Sequence, residues 1–362
     1  MKKNNAQHLD VDELETQVSR MRNSLKADRL DMSFGEIIAT YERGELIISP
    51  SFQRLFRWDV DQRTRFLESI ILGIPIPPIF VAEDKNGRWE LVDGLQRIST
   101  ILSFFGKLEG FSARKENGWM MNRAALVPAL KGFTLETFPS KYMLNIKRAV
   151  CRVEIIKWDS QWDMRYELFS RLNTGGSPLT EQEVRNSVFR GGLKRLYAFV
   201  DEIKHSETFV NLIALSERRK IRLYDDELII RFLALVNNWR NVDALISDYA
   251  TEYMRELLKK REDIHKEDED RFKEVLMLLA PLGSEIFKVR STFSASLYDA
   301  IMVATAEFID DFRRSPEELR IAVKTLRMDS TFREMRGGAS SKTRTRVRIG
   351  RAVDIFRKTI SK

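Results

Sequence analysis

The stretch Trp89-Glu90-Leu91-Val92-Asp93-Gly94-Leu95-Gln96-Arg97-Ile98 decides how the first half of this chain folds. Trp89 to Val92 reads as a strand, Gly94 marks a turn, and Leu95, Ile98, Leu102 and Phe105 then repeat at helical spacing. Asp93 stands where a side chain caps that helix. Gln96 and Arg97 fall in its first turn, beside backbone N–H groups that have no partner inside the helix. A cation there opposes the helix dipole. An anion such as a phosphate at the helix start removes the objection. The alternative is an ion pair between Arg97 and Asp93, four residues apart, and spacing alone does not choose between the two.

Working outward, Ile79 to Ala82 is a buried strand that meets Trp89 to Val92 across an Asn86-Gly87 turn. Ser99 to Phe105 continues the helix, and Val150 to Lys157 alternates as a closing strand. Pro50 to Asp59 reads as a strand or extended loop entering a helix near Asp59. Within it, Phe52-Gln53-Arg54-Leu55-Phe56-Arg57-Trp58 sets two arginines among three aromatics. Arg54 and Arg57 suit phosphate, and the rings suit either a base or the core. Further upstream, Val11, Leu14, Val18, Met21 and Leu25 recur by three and four as a short amphipathic helix. Its stripe fits the body of the same chain or a second copy, and docking within the chain is the expected case.

Beyond Trp158 the pattern turns helical. Leu228, Ile229, Phe232, Leu235, Val236 and Trp239 form one apolar face, and Ile349, Val353, Phe356 and Ile360 another. The charged run from Lys259 to Arg271 reads as a solvated helix end or loop. Between these regions lies Arg171-Leu172-Asn173-Thr174-Gly175-Gly176-Ser177-Pro178-Leu179-Thr180-Glu181-Gln182-Glu183. Its glycines would let backbone approach a phosphate, but no Lys-Ser/Thr follows, so it is not a P-loop. Thr180 and Glu183 make a capping box for the next helix.

Composition excludes several classes. With 43% apolar and 31% charged residues the chain suits a globular fold. A single cysteine, Cys151, allows no internal disulfide, and the three histidines stand far apart, which argues against a zinc site or an HNH nuclease centre. The charged N-terminal sequence is unlike a secretory signal, and the most apolar stretch, Ile70 to Ala82, is short and carries three prolines. A cytoplasmic protein away from membranes is expected. The formal charge of +8 is uneven: Thr331 to Lys362 holds ten basic and two acidic residues, so the remainder is neutral. Arg344, Arg346 and Arg348 alternate, and in an extended segment they would present one face to a nucleic acid; a solvated helix and loop rich in arginine is the equal alternative.

Taken together, these stretches resemble the N-terminal domain of GmrSD-type modification-dependent restriction enzymes, which has a ParB/sulfiredoxin-like fold. The family's Asp-Gly-Gln-Gln-Arg signature corresponds to Asp93-Gly94-Leu95-Gln96-Arg97. Its aromatic-arginine segment matches Phe52 to Arg54 with Arg57-Trp58, and its Ile-Pro-x-Pro-Pro stretch matches Ile74 to Pro78. Its later element matches Arg171 to Gly176 and Gln182 to Asn186. The resemblance implies a bacterial anti-phage component that binds, and in many members hydrolyses, a nucleoside triphosphate, with Mg²⁺ as a companion ion. DNA and a separate nuclease or effector subunit are the implied partners, with homo-oligomers allowed. Leu95 stands where the family has glutamine, which removes an amide that contacts phosphate or orients water. No counterpart of the histidine-rich nuclease part of two-part relatives is present, so DNA cleavage by this chain alone is not expected.

The expected architecture is α+β: an amphipathic helix over 1–30, a ParB/sulfiredoxin-like mixed sheet with helices over 31–160, and an all-helical domain with a basic end over 161–362. Asp93, Gln96 and Arg97 are the candidate catalytic residues. Arg54, Arg57, Gly94, Asn173, Thr174, Gly175 and Gly176 are the candidate nucleotide contacts, and Arg344, Arg346 and Arg348 the candidate nucleic-acid contacts. No metal ligand set is assigned. Against the nucleotide-binding reading stands a non-catalytic ParB-like DNA-binding module.

Overall fold

The computed structural model describes residues 10–23, 26–48, 56, 58–109, 116–158, 160, 166–169, 171, 180–335 and 344–360. It divides into two compact units, one through Pro178 and the other from Leu179.

The first unit is built on a five-stranded mixed sheet. Its strands are β1 (Ala27–Ser33), β2 (Leu46–Ile47), β3 (Ile79–Glu83), β4 (Trp89–Asp93) and β5 (Val150–Ile156), in the spatial order β1-β5-β3-β4-β2. β1 runs antiparallel to β5, β5 parallel to β3, β3 antiparallel to β4, and β4 parallel to β2. The helices are α1 (Val11–Arg22), α2 (Phe34–Glu42), α3 (Val60–Ile71), α4 (Leu95–Phe104) and α5 (Ser140–Arg148).

Sequence chemistry sets the register. Residues of β5 alternate between exposed and buried until Ile155 and Ile156, both buried. On the charged face Arg29 lies opposite Glu154 and Asp31 opposite Arg152, and each pair forms an ion pair at 3.1 Å. A one-residue slip would set those charges against apolar neighbours. On the other face Met32, Ile79, Val81 and Val153 meet Ile37 of α2. The four helices α2 to α5 pack on one another above that face.

Helix starts are well specified. Ser33 caps α2 by accepting from the Glu36 N–H. Asp59 and Gln62 cap α3 reciprocally. α3 also anchors the chain that follows α4. Its buried Glu68 accepts from the N–H groups of Ala125, Leu126 and Val127 at 3.0, 2.6 and 2.5 Å. Burial opposes ionisation of that carboxyl, but the three donors outweigh it and hold its pKa below the usual glutamate value.

The second unit is helical. Its longer helices are α6 (Glu181–Phe189), α7 (Lys194–His205), α8 (Tyr224–Val236), α9 (Ile246–Lys260), α10 (Lys266–Leu279), α11 (Ala295–Glu307), α12 (Pro316–Met328) and α13 (Arg344–Ile360). Both apolar faces read from the sequence are core: Leu228, Ile229, Phe232 and Leu235 on α8, and Ile349, Val353 and Phe356 on α13, are buried. Among the described residues the unit departs from all-helical at a hairpin of two-residue strands, Lys288–Val289 and Thr292–Phe293. The charged run after Lys259 is not wholly solvated either. Asp268 and Glu269 are buried, where they accept from Asn237 and pair with Arg195.

One expectation fails outright. α1 forms where the periodicity places it, with Asp10 as its cap, but none of its residues is buried. Val11, Leu14, Val18 and Met21 of its stripe are exposed.

Candidate functional site

The turn between β4 and α4 requires its glycine. Gly94 sits at φ 99°, ψ 11° as the N-cap of α4. A Cβ built there would lie 2.5 Å from Cγ2 of Ile79, a fully buried residue of β3. Glycine alone fits both the left-handed backbone and the space. Because Gly94 occupies the cap, Asp93 does not cap the helix as the sequence suggests, and α4 starts without a side-chain cap. The first helical N–H to reach a backbone carbonyl is that of Ile98, bonded to Gly94.

Asp93 turns instead to Arg97. The guanidinium donates to Oδ2 of Asp93 at 2.6 Å and to the carbonyl of Pro77 at 2.8 Å. The ion-pair reading of Arg97 is therefore the one seen, with the arginine side chain 13% exposed and the aspartate 40%. Its second bond ties the turn to the proline-rich stretch before β3. Arg97 also bears on Cys151: burial pushes the thiol pKa up, and the nearby arginine charge pulls against that.

Gln96 faces another way. Its side-chain oxygen accepts from the Trp58 N–H at 3.0 Å. Trp58 directly precedes Asp59, the cap of α3, so this bond holds the starts of two helices side by side. The Trp58 carbonyl in turn accepts from Nε of Arg63 at 2.9 Å. Arg63 is buried, lies 4.1 Å from the ring centre of Phe56, and pairs with Glu116. Trp58 packs edge-on against Phe66 at 5.6 Å. Sequence reasoning does not single out Arg63, although it carries the same signal as Arg97, a cation at the first turn of a helix.

The arrangement thus joins three sequence motifs: the aromatic segment through Gln96, the proline stretch through Arg97, and the turn itself. Two helix starts converge with two arginines beside them, that of α3 capped by Asp59 and that of α4 without a side-chain cap. Asp93 and Glu116 balance those arginines. Arg54, Arg57, Asn173, Thr174, Gly175 and Gly176 lie outside the described residues.

The far end of the last motif lies in the second unit. Thr180 and Glu183 form both halves of the capping box on α6. Gln182, Arg185 and Asn186 are buried in a polar network rather than presented to solvent. Arg185 donates to Gln182 Oε1 at 2.9 Å and to Ser247 Oγ at 2.9 Å, and Asn186 donates to Asp226 at 2.8 Å.

The basic segment needs a correction. Arg344, Arg346 and Arg348 are the opening residues of helix α13, not an extended strand. At helical spacing Arg346 points away from the other two. Arg348 is half-buried against Ser296, which its guanidinium bonds. The sequence alternation therefore gives no shared face. Apolar Ile349, Val353 and Phe356 set the conformation by demanding a helix.

Among the described residues no three His, Cys, Asp or Glu side chains gather as a metal cluster. No helix there is long and apolar enough to cross a membrane. Residues 34–190 match the family model of the GmrSD restriction endonuclease, N-terminal domain. No curated protein and no solved structure matches the chain.

Proposed function

Residues 34–190 belong to the GmrSD restriction endonuclease N-terminal domain family, and on that footing we propose that this component of a restriction system binds a nucleoside triphosphate where α3 and α4 begin. The observation that carries the reading is the Gln96–Trp58 bond, which sets two helix starts together. The start of α4 carries no side-chain cap, so its positive dipole end suits a phosphate, and the bond sets it beside the Asp59-capped start of α3. Gly94 contributes by omission, since its bare backbone allows close approach. Arg97 sits at the edge of that spot, pre-oriented by Asp93 and the Pro77 carbonyl, with further guanidinium N–H groups to donate. Gln96 is a positioning residue in this reading, because its side-chain oxygen is committed to Trp58.

The order of strands and the strand–glycine–helix turn support assigning the sheet to the ParB/sulfiredoxin class. Mg²⁺ fits as a companion of the triphosphate: Asp93 is two-fifths exposed and would meet the ion, which supplies charge neutralisation when bound. Leu95 is buried and offers no amide, so binding without rapid turnover is the expected behaviour. The test is calorimetric titration of each common nucleoside triphosphate into the protein, with phosphate release followed alongside. Saturable binding of at least one supports the reading, and binding of none overturns it.

A second reading, DNA binding, is favoured by a cleft of about 470 Å³ in the second unit. Arg320, Lys324, Arg327 and Arg333 line it over an apolar floor that includes Ile286 and Val323. Arg320 is matched by Glu317. Arg327 is held by the carbonyls of Glu285 and Lys288, and Arg333 by the carbonyl of Arg327. Carbonyls fix these guanidinium groups without cancelling their charge, as a phosphodiester site requires. In this reading the cleft, rather than the start of α13, takes the DNA backbone.

A further inference from the structure

We propose that the short hairpin of the second unit, Lys288–Val289 with Thr292–Phe293, sets the guanidinium of Arg290 into the minor groove of duplex DNA held by the neighbouring basic cleft. The inference rests on the DNA reading of that cleft and adds to it a residue that discriminates among duplexes.

The tip of the hairpin is a turn made from unfavourable residues. Val289 pairs with Thr292, so Arg290 and Ser291 alone make the loop. Both have positive φ, 47° and 64°. Two positive φ values in a two-residue loop mark the type I′ turn, which suits the twist of a hairpin and favours Asn-Gly or Asp-Gly. Arg-Ser puts side chains on backbone that tolerates them poorly, and such strain persists only where the surroundings fix it. The surroundings here do so. Phe293 is buried, and its ring meets those of Phe287 and Tyr298. Arg219 donates to the Phe293 carbonyl at 3.2 Å, and Arg327 to the carbonyls of Glu285 and Lys288. Both strands are thus held at their base, and Arg290 and Ser291 stand exposed.

Charge and place identify what the tip meets. Among the described residues no hydrogen bond, ion pair or ring contact engages the Arg290 side chain, whereas Lys288 on the same hairpin pairs with Glu285. Arg327, which clamps the hairpin, also lines the basic cleft, as does Ile286, two residues before the first strand. A phosphodiester chain held in the cleft therefore runs past the base of the hairpin. The major groove takes a helix or a ribbon bearing several side chains, but strands of two residues present a single long one. One arginine beside backbone contacts suits the minor groove, which is about 6 Å wide. Negative potential is strongest there where A·T tracts narrow the groove, so a preference for A·T sequence follows.

Fluorescence anisotropy of the full chain on three labelled duplexes of equal length tests this: an A·T tract, a G·C sequence, and that G·C sequence with inosine for guanine. Inosine lacks the N2 amino group, so its pairs resemble G·C in the major groove and A·T in the minor. The wild type should bind the A·T and inosine duplexes about three- to tenfold more tightly than the G·C duplex. Arg290→Gly should keep the hairpin, because glycine takes a positive φ without strain, and should bind all three alike. Lys324→Ala with Arg333→Ala should weaken all three and keep their ranking. Equal binding of the three by the wild type, or a ranking that survives Arg290→Gly, overturns the inference and leaves the cleft reading in place. An inosine duplex bound like the G·C duplex overturns the minor-groove assignment. A wild type that binds no duplex overturns the cleft reading and this inference with it.

Discussion

Gly94→Ala would put a Cβ at φ 99° and 2.5 Å from Ile79. Strain of that backbone and displacement of a buried isoleucine should together cost about 1–3 kcal/mol. Thermal denaturation should register the loss as a clear fall in the first unit's Tm, and an unchanged Tm would mean the turn relaxes at no cost. That Gly94 is a turn was legible, because a strand pattern changes into a helix pattern there. Its cap role was not, since a glycine at the cap makes no side-chain bond to anticipate, and it leaves Asp93 free to reach Arg97. The unfavourable place of Arg97 beside a helix start was also legible. Its bond to Pro77, twenty residues earlier, was not, because only the β3–β4 pairing brings those strand ends together.

Elements with strong local signals fell where their chemistry put them. α3 follows its Asp59–Gln62 box and α6 its Thr180–Glu183 box. β3 and β4 fall on the two segments read as strands either side of the Asn86-Gly87 turn, and β5 follows its alternation. β1 was missed because Asp28, Arg29 and Asp31 make it polar; it is an edge strand, and its partner β5 supplies the matching charges. The extended reading of Arg344 to Arg348 failed for the converse reason: a period of two in the arginines masked the helical period of the apolar residues between and after them. At this scale Glu68 offers a pH test. Its folded pKa is depressed, so its contribution is complete above the ordinary glutamate value of about 4.3 and is lost as pH falls through the lower folded value. Glu68→Gln should destabilise the first unit at neutral pH by at least about 1.5 kcal/mol, as charge-assisted bonds to three N–H groups weaken. The gap from wild type should narrow in acid. Melting curves from neutral pH downward check this, and a gap that widens in acid would contradict it.

The whole chain divides its chemistry between two units. Composition and charge located the basic excess after Thr331, but not the basic cleft, which takes Arg320, Lys324 and Arg327 from before that point and depends on how helices pack. If the second unit takes DNA there, log affinity should fall linearly with log salt, and Lys324→Ala with Arg333→Ala should reduce the slope by about two units. Fluorescence anisotropy on a labelled duplex over a salt series measures it, and an unchanged slope would remove the cleft from the interface. The central claim concerns the first unit, that the joined starts of α3 and α4 hold a triphosphate with Arg97 at their edge. Its most direct test is calorimetric titration of the bound nucleotide into wild type, Arg97→Ala and Asp93→Asn without added Mg²⁺, each with its ligand-free melting curve. Both variants break the same ion pair, so both should lose similar, modest stability. Only Arg97→Ala removes a phosphate donor, and its affinity should fall about tenfold to a hundredfold while Asp93→Asn keeps that of the wild type. Wild-type affinity in Arg97→Ala, or the same loss in both variants, would contradict the account.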